Sequence, residues 1–201
     1  MSAGPPTPKG TMMHDFMITR EHAIFMDLPV VFNLDKMAEG LPPIGWDDDY
    51  GARIGIMPRM GTDKDVKWFE IDPCYVFHGV NAFRLGDYIV VDVCRVDSVF
   101  DPPHPFIVNP SVNRWTVDTV RGRVRDERVD VEPGEFPQHD PRLVGREHRY
   151  AYFTSTPPTG DGFAVAVAFA TSGATARGDG LGIEVEVPPG GGLVARLSSG
   201  E

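Results

Sequence analysis

The chain has 201 residues, 41% hydrophobic and 24% charged, with 19 basic against 29 acidic side chains and a net charge of −10. That length fits one domain or one and a half, and the apolar share is enough to bury a core, which excludes a disordered acidic tail and a coiled coil. Gly 22 and Pro 19 together form about a fifth of the chain, against a usual share of about 12%, and both are costly inside helices, so long helices are excluded too.

Residues 1–11 are Pro/Gly-rich without an apolar run and read as a flexible lead-in, neither signal peptide nor membrane anchor. From residue 12 the texture becomes that of short strands. Residues 23–26 and 29–32 read as strand, bend, strand, and 53–58 as a further strand. Residues 66–71 alternate polar and apolar with period two, as a half-buried strand does, and 74–78 and 88–94 follow. Met60-Gly61-Thr62-Asp63, Asp72-Pro73 and Leu85-Gly86-Asp87 carry turn chemistry between them. Residues 113–118 and 121–127 read as a meander pair whose arginines point outward, either a solvated sheet face or a carboxylate-binding patch. Strands at this spacing predict an all-β sandwich, barrel or propeller. Beyond residue 160 the chain contains no His, Trp, Tyr, Met, Lys, Asn or Gln. Residues 164–169 and 182–187 retain strand character there, and 164–201 reads as a Gly/Ala/Val-rich tail, either low in complexity or the product of a changed reading frame.

The net negative charge, without a Lys/Arg cluster to override it, argues against nucleic acid. No stretch approaches the ~18 apolar residues of a membrane span, so a cytoplasmic protein is expected. Cys74 and Cys94 have no metal-ligand spacing and are too few for a disulfide scaffold. The chain lacks GxSxG, P-loop and GxGxxG motifs, which leaves hydrolase, NTPase and dinucleotide chemistry without support.

The six histidines are His14, His22, His78, His104, His139 and His148. No two of them have the i, i+4 spacing of a helical metal site, so any metal centre must be assembled from separate strands. His14 lies among Met12, Met13 and Phe16, where a buried imidazole needs a partner or a metal; His78 sits similarly beside Phe77. Glu135, in Pro133-Gly134-Glu135-Phe136-Pro137, is set for partial burial and needs a donor, commonly a histidine N–H at metal centres. Asp47-Asp48-Asp49 beside Trp46 reads as a solvated loop rather than a cation site.

Met13-His14-Asp15-Phe16-Met17-Ile18-Thr19, Ala23-Ile24-Phe25, Leu28-Pro29, Ala52-Arg53-Ile54-Gly55 with Pro58-Arg59, Trp68-Phe69-Glu70, Tyr75-Val76-Phe77-His78 with Asn81-Ala82, Ile89-Val90-Val91-Asp92-Val93-Cys94, Gly134-Glu135-Phe136-Pro137 and Arg149-Tyr150-Ala151-Tyr152 follow one another in the order of a known family. Over residues 10–163 the chain resembles the carotenoid oxygenases, which include carotenoid and stilbene cleavage dioxygenases and the retinal pigment epithelium isomerase.

The resemblance implies part of a seven-bladed β-propeller, an incomplete ring of about three to four blades. It implies iron(II), Fe(2+), held on the axis by four histidines whose orientation is set by outer glutamates. His14 then becomes an iron ligand, and Glu135 a second-shell carboxylate expected on the imidazole of His14. His78 is read as structural. On this reading only one of the four ligands lies in this chain, since the first two belong to sequence before it and no histidine follows His148.

The function implied is oxidative cleavage of a conjugated C=C bond of a carotenoid or apocarotenoid to carbonyl products, with dioxygen and an apolar polyene as partners. Phe 12 and Met 8 fit an apolar tunnel for such a substrate. Peripheral membrane contact would give access to the substrate, and another chain would supply the missing blades. The alternative is a catalytically inactive, truncated propeller remnant lacking three ligands; a small lipid-binding β-barrel is a third reading without a motif.

Overall fold

The computed structural model describes residues 9–34, 37, 40, 42–100, 110–129 and 134–155, together with the backbone strands 164–168, 175–178, 183–186 and 194–197. Among the described residues the strands are β1 (Phe16–Ile18), β2 (His22–Asp27), β3 (Val30–Phe32), β4 (Ile44–Trp46), β5 (Ala52–Pro58), β6 (Lys67–Ile71), β7 (Tyr75–Leu85), β8 (Tyr88–Val96), β9 (Ser111–Asp118), β10 (Arg123–Arg128), β11 (Glu135–Gln138), β12 (Ala151–Ser155), β13 (Ala164–Ala168), β14 (Thr175–Gly178), β15 (Ile183–Glu186) and β16 (Val194–Leu197).

They form three four-stranded antiparallel sheets, ordered β1-β2-β5-β6, β7-β8-β9-β10 and β11-β12-β13-β16, with β3-β4 and β14-β15 as separate pairs. β7 touches both β1 and β11, while β6 touches β10. The first strands of successive sheets therefore neighbour one another, and so do the last strands of the first two sheets. That is the arrangement of propeller blades around an axis.

Burial explains which sequences fill which strands. β8 is buried along nearly its whole length, and its Ile-Val-Val-Asp-Val-Cys run is apolar but for Asp92, whose buried carboxylate pairs with Arg114 at 2.7 Å. The outer strand β10, Arg-Val-Arg-Asp-Glu-Arg, is mostly exposed. Arg121 pairs with Asp118 at 3.0 Å and Arg125 with Glu127 at 2.7 Å, so these outward arginines meet acids of their own hairpin. The β7–β8 hairpin closes on Gly86-Asp87, where Gly86 takes φ 60°, a conformation that two-residue turns demand and glycine adopts freely.

The main core lies between the first two sheets and includes Ile24, Met26, Ile54, Ile56 and Phe69 on one side and Tyr75, Val91, Val93, Trp115 and Val117 on the other. A second cluster of Val80, Cys94, Val112, Ala151 and Phe153 joins the second sheet to the third. Both cysteines are free and buried, and burial pushes the thiol of Cys74 up to about 12.

Asp27, fully buried, accepts hydrogen bonds from Thr11 Oγ1 (3.0 Å), Tyr50 OH (2.8 Å) and Arg53 Nε (2.8 Å). The end of the expected lead-in runs against β3, with Phe32 N–H donating to Gly10 O and Met12 N–H to Val30 O. Residues 1–8 of that lead-in, and the side chains of the tail from 164, lie outside the described residues. No helix of the described residues is long and apolar enough to cross a membrane.

Candidate metal centre on the innermost strands

The three candidate side chains arise at corresponding places in the blades. His14 lies two residues before β1, His78 lies in β7, and Glu135 opens β11. The segment before β1 is stitched to alternate residues of β7. Tyr75 OH donates to Met12 O (2.8 Å), His14 Nδ1 donates to Phe77 O (2.7 Å), and Gly79 N–H donates to Asp15 Oδ2 (2.8 Å). His14 is exposed rather than enclosed by its apolar neighbours, with its ring edge-on to Phe77 at 5.4 Å.

β7 does not pair regularly with β8 here: the register shifts between Val76 and Gly79 and again between Gly79 and Asn81. Such bulges bend a strand and re-aim side chains. His78 is thereby placed with its ring 5.3 Å from that of His14, at an interplanar angle of 87°. Its Nδ1 meets Glu135 Oε2 at 2.7 Å.

One expectation is corrected by this geometry. Glu135 hydrogen-bonds His78, not His14, whose Nδ1 is held instead by a backbone carbonyl. His78, read from sequence as structural, lies beside His14 and carries the carboxylate partner. Both Nδ1 atoms face acceptors and so carry a proton, which in the neutral imidazole leaves the lone pair on Nε2. Glu135 Oε2 also accepts Phe136 N–H at 2.7 Å, while Oε1 is buried without a hydrogen-bond partner among the described residues.

Among the described residues no group of three or more His, Cys, Asp or Glu side chains lies close enough to hold a metal ion. The other histidines are elsewhere. His22 bonds Thr19 near the far end of β1, and the rings of His139 and His148 lie 5.7 Å apart, tilted at 54°, beside β7 and β8. His104 lies outside the described residues. Trp46 Nε1 donates to Asp48 Oδ1 (2.9 Å) and Lys9 pairs with Asp47, so the acidic loop is internally engaged.

The sequence model of the family described as retinal pigment epithelial membrane protein matches residues 2–179. The chain belongs to this family. It is 32% identical over 207 aligned positions to a carotenoid cleavage oxygenase of Mycobacterium tuberculosis, covering 80% of this chain and 41% of that protein. It is also 32% identical to an isoeugenol monooxygenase of Pseudomonas putida, covering 72% of this chain and 32% of the relative. The crystal structure of a lignostilbene dioxygenase from Pseudomonas brassicacearum superposes with a TM-score of 0.68 at 26% identity, covering 76% of this chain and 34% of that one. The fold is thus all-β and part of a β-propeller, and the chain spans well under half the length of these relatives.

Proposed function

We propose that this chain forms part of an Fe(2+)-dependent oxygenase that cleaves a conjugated C=C bond of a carotenoid or apocarotenoid, each carbon taking one atom of dioxygen to become a carbonyl. The observation that carries this reading is the pairing of two imidazoles, one just before β1 and one in β7, both fixed by Nδ1 contacts with Nε2 left as the donor. Neutral imidazole suits ferrous iron, and a carboxylate on the distal ring nitrogen fixes the tautomer and raises basicity, as Glu135 does for His78. Iron, when bound, supplies the one-electron chemistry that lets dioxygen react with an alkene.

The chain's own residues hold and orient. His14 and His78 would be ligands, Glu135 positions His78, and Phe77 and Phe136 give the surroundings an aromatic character suited to a polyene. The relatives' names share a conjugated alkene, whether carotenoid, isoeugenol or lignostilbene, which supports the reaction type more broadly than any one substrate. The remaining ligands would come from the rest of the propeller, on the same or another polypeptide. A protein in the cytoplasm that touches a membrane peripherally would reach such a substrate. A second reading, a non-catalytic propeller piece, draws on the donor count among the described residues, which is two imidazoles.

The test replaces the matched segment of the Mycobacterium tuberculosis relative with residues 10–163 of this chain. The chimera is expected to retain iron and cleave a carotenoid, and to lose both on His14→Ala or His78→Ala. A folded chimera that keeps its activity with either histidine replaced would end the proposal.

A further inference from the structure

Phe136 stands in a backbone conformation that its side chain opposes. Its φ is 51°, in the left-handed region where a bulky residue is an outlier. The pairing of β11 with β12 shows why the chain turns there. Glu135 faces Thr154 and Gln138 faces Tyr152, so two residues oppose the single Phe153, with a register shift between them. This is a β-bulge with its first residue left-handed, a position that glycine usually fills. Gly134 fixes the approach, since a Cβ there would sit 3.0 Å from Phe153 Cβ and 3.1 Å from its Cγ. Pro137, the second bulge residue, has no N–H to lose.

Glycine at 136 would make the same bulge without strain and offer the same N–H to Glu135 Oε2. Burial does not account for a phenylalanine there, because Phe136 is 59% exposed. What remains is its ring, centred 5.1 Å from the ring of His78 at a tilt of 44°. The side chains it flanks are close to water, with His78 32% and Glu135 15% exposed. Excluding water strengthens a hydrogen bond between polar groups. Strain retained by its surroundings is found at functional sites.

We propose that Phe136 is a positioning residue, whose ring shields the His78–Glu135 hydrogen bond and so keeps the His78 imidazole in the orientation that presents Nε2. The reason for holding His78 rests on the metal reading above, whereas the shielding itself does not.

The test uses the full metal-free chain and follows exchange of the His78 Nδ1 proton with water by NMR, alongside the unfolding midpoint. Phe136→Gly is expected to keep or raise the midpoint while exchange of that proton accelerates about tenfold or more. Phe136→Tyr, which keeps a ring, should hold the exchange rate within about twofold of the parent. Phe136→Ala removes the ring at unchanged backbone chirality and should accelerate exchange as glycine does, which covers failure of the glycine variant to fold. Unchanged exchange in the glycine and alanine variants would overturn the proposal, whether stability rises or falls. The chimera described above separates the two claims: a shielding effect in this chain, beside a folded chimera that retains iron with His14 or His78 replaced, would sink the metal reading and leave this one standing.

Discussion

Asn81 joins the strand that carries His78 to the segment that follows Glu135, and removing its side chain should be among the costliest single changes. It is 4% exposed. Its Oδ1 accepts Gly145 N–H at 3.0 Å, and its Nδ2 lies 3.1 Å from Leu143 O and 2.9 Å from Arg146 O. In Asn81→Ala the buried Gly145 N–H loses its partner, a penalty of about 1–3 kcal/mol, and two further bonds worth about 1 kcal/mol each are lost. The carbonyls of Leu143 and Arg146 lie near the surface and recover part of this from water, which leaves about 2–4 kcal/mol. At roughly 2–4 °C per kcal/mol for a chain of this size, the melting temperature should fall by about 4–16 °C. Asn81→Asp is the stricter control, because it keeps the acceptor for Gly145 but turns an acceptor toward two carbonyls, and it should cost at least as much as alanine. Urea denaturation at constant m-value reads both. A loss below about 0.5 kcal/mol in Asn81→Ala, within the range of ordinary surface changes, or an aspartate variant as stable as the parent, would refute the reasoning.

Asp27→Ala removes the carboxylate that Arg53, Tyr50 and Thr11 share and should destabilise by about 3 kcal/mol in the same assay; Tyr50, held at about 12 chiefly by burial and next by its bond to Asp27, should titrate lower by ultraviolet absorbance. Burial holds both His148 and His139 below the usual histidine range, so the folded state favours their neutral forms. Unfolded chains bind those protons from about pH 6.5 downward, so stability should fall as pH drops from 7 to 5, by at most about 1.4 kcal/mol per pH unit for each histidine. His148→Gln should flatten that slope, and an unaltered slope would contradict the assignment. A Cβ at Gly79 would lie 2.4 Å from Met17 Sδ and 2.7 Å from its Cγ, so Gly79→Ala should cost about 1–3 kcal/mol. Adding Met17→Ala should recover part of that loss, and a double variant no better than the sum of the singles would show that Met17 is not the obstacle.

Strands whose alternation or apolar run spans a whole segment, such as β6 and β8, were legible because burial on one or both faces writes itself into the sequence. β1 and β11 were not, since three or four residues carry no period, and their pairing is set by blades around them. β7 was expected to end near His78 because Gly79 and Asn81 break its pattern. The structure carries it on to Leu85, with bulges absorbing the irregularity and Asn81 buried on its own hydrogen bonds. The candidate site was half legible. Motif order marked His14 and Glu135, but the carboxylate's partner lies 57 residues from it in sequence, and only the adjacency of β7 and β11 selects His78 over His14. A phenylalanine at a left-handed bulge likewise has no local signature, since Glu135-Phe136-Pro137 reads as an ordinary extended run.

The central claim is that His14 and His78 present their Nε2 atoms to one metal ion. Its most direct test is an anaerobic titration of the full chain with Fe(II), followed by paramagnetic broadening of the histidine ring resonances. The account predicts that His14 and His78 broaden together ahead of His22, His139 and His148, and that His78→Ala removes the effect at His14. Broadening shared evenly by all histidines, or confined to those outside the pair, would contradict it.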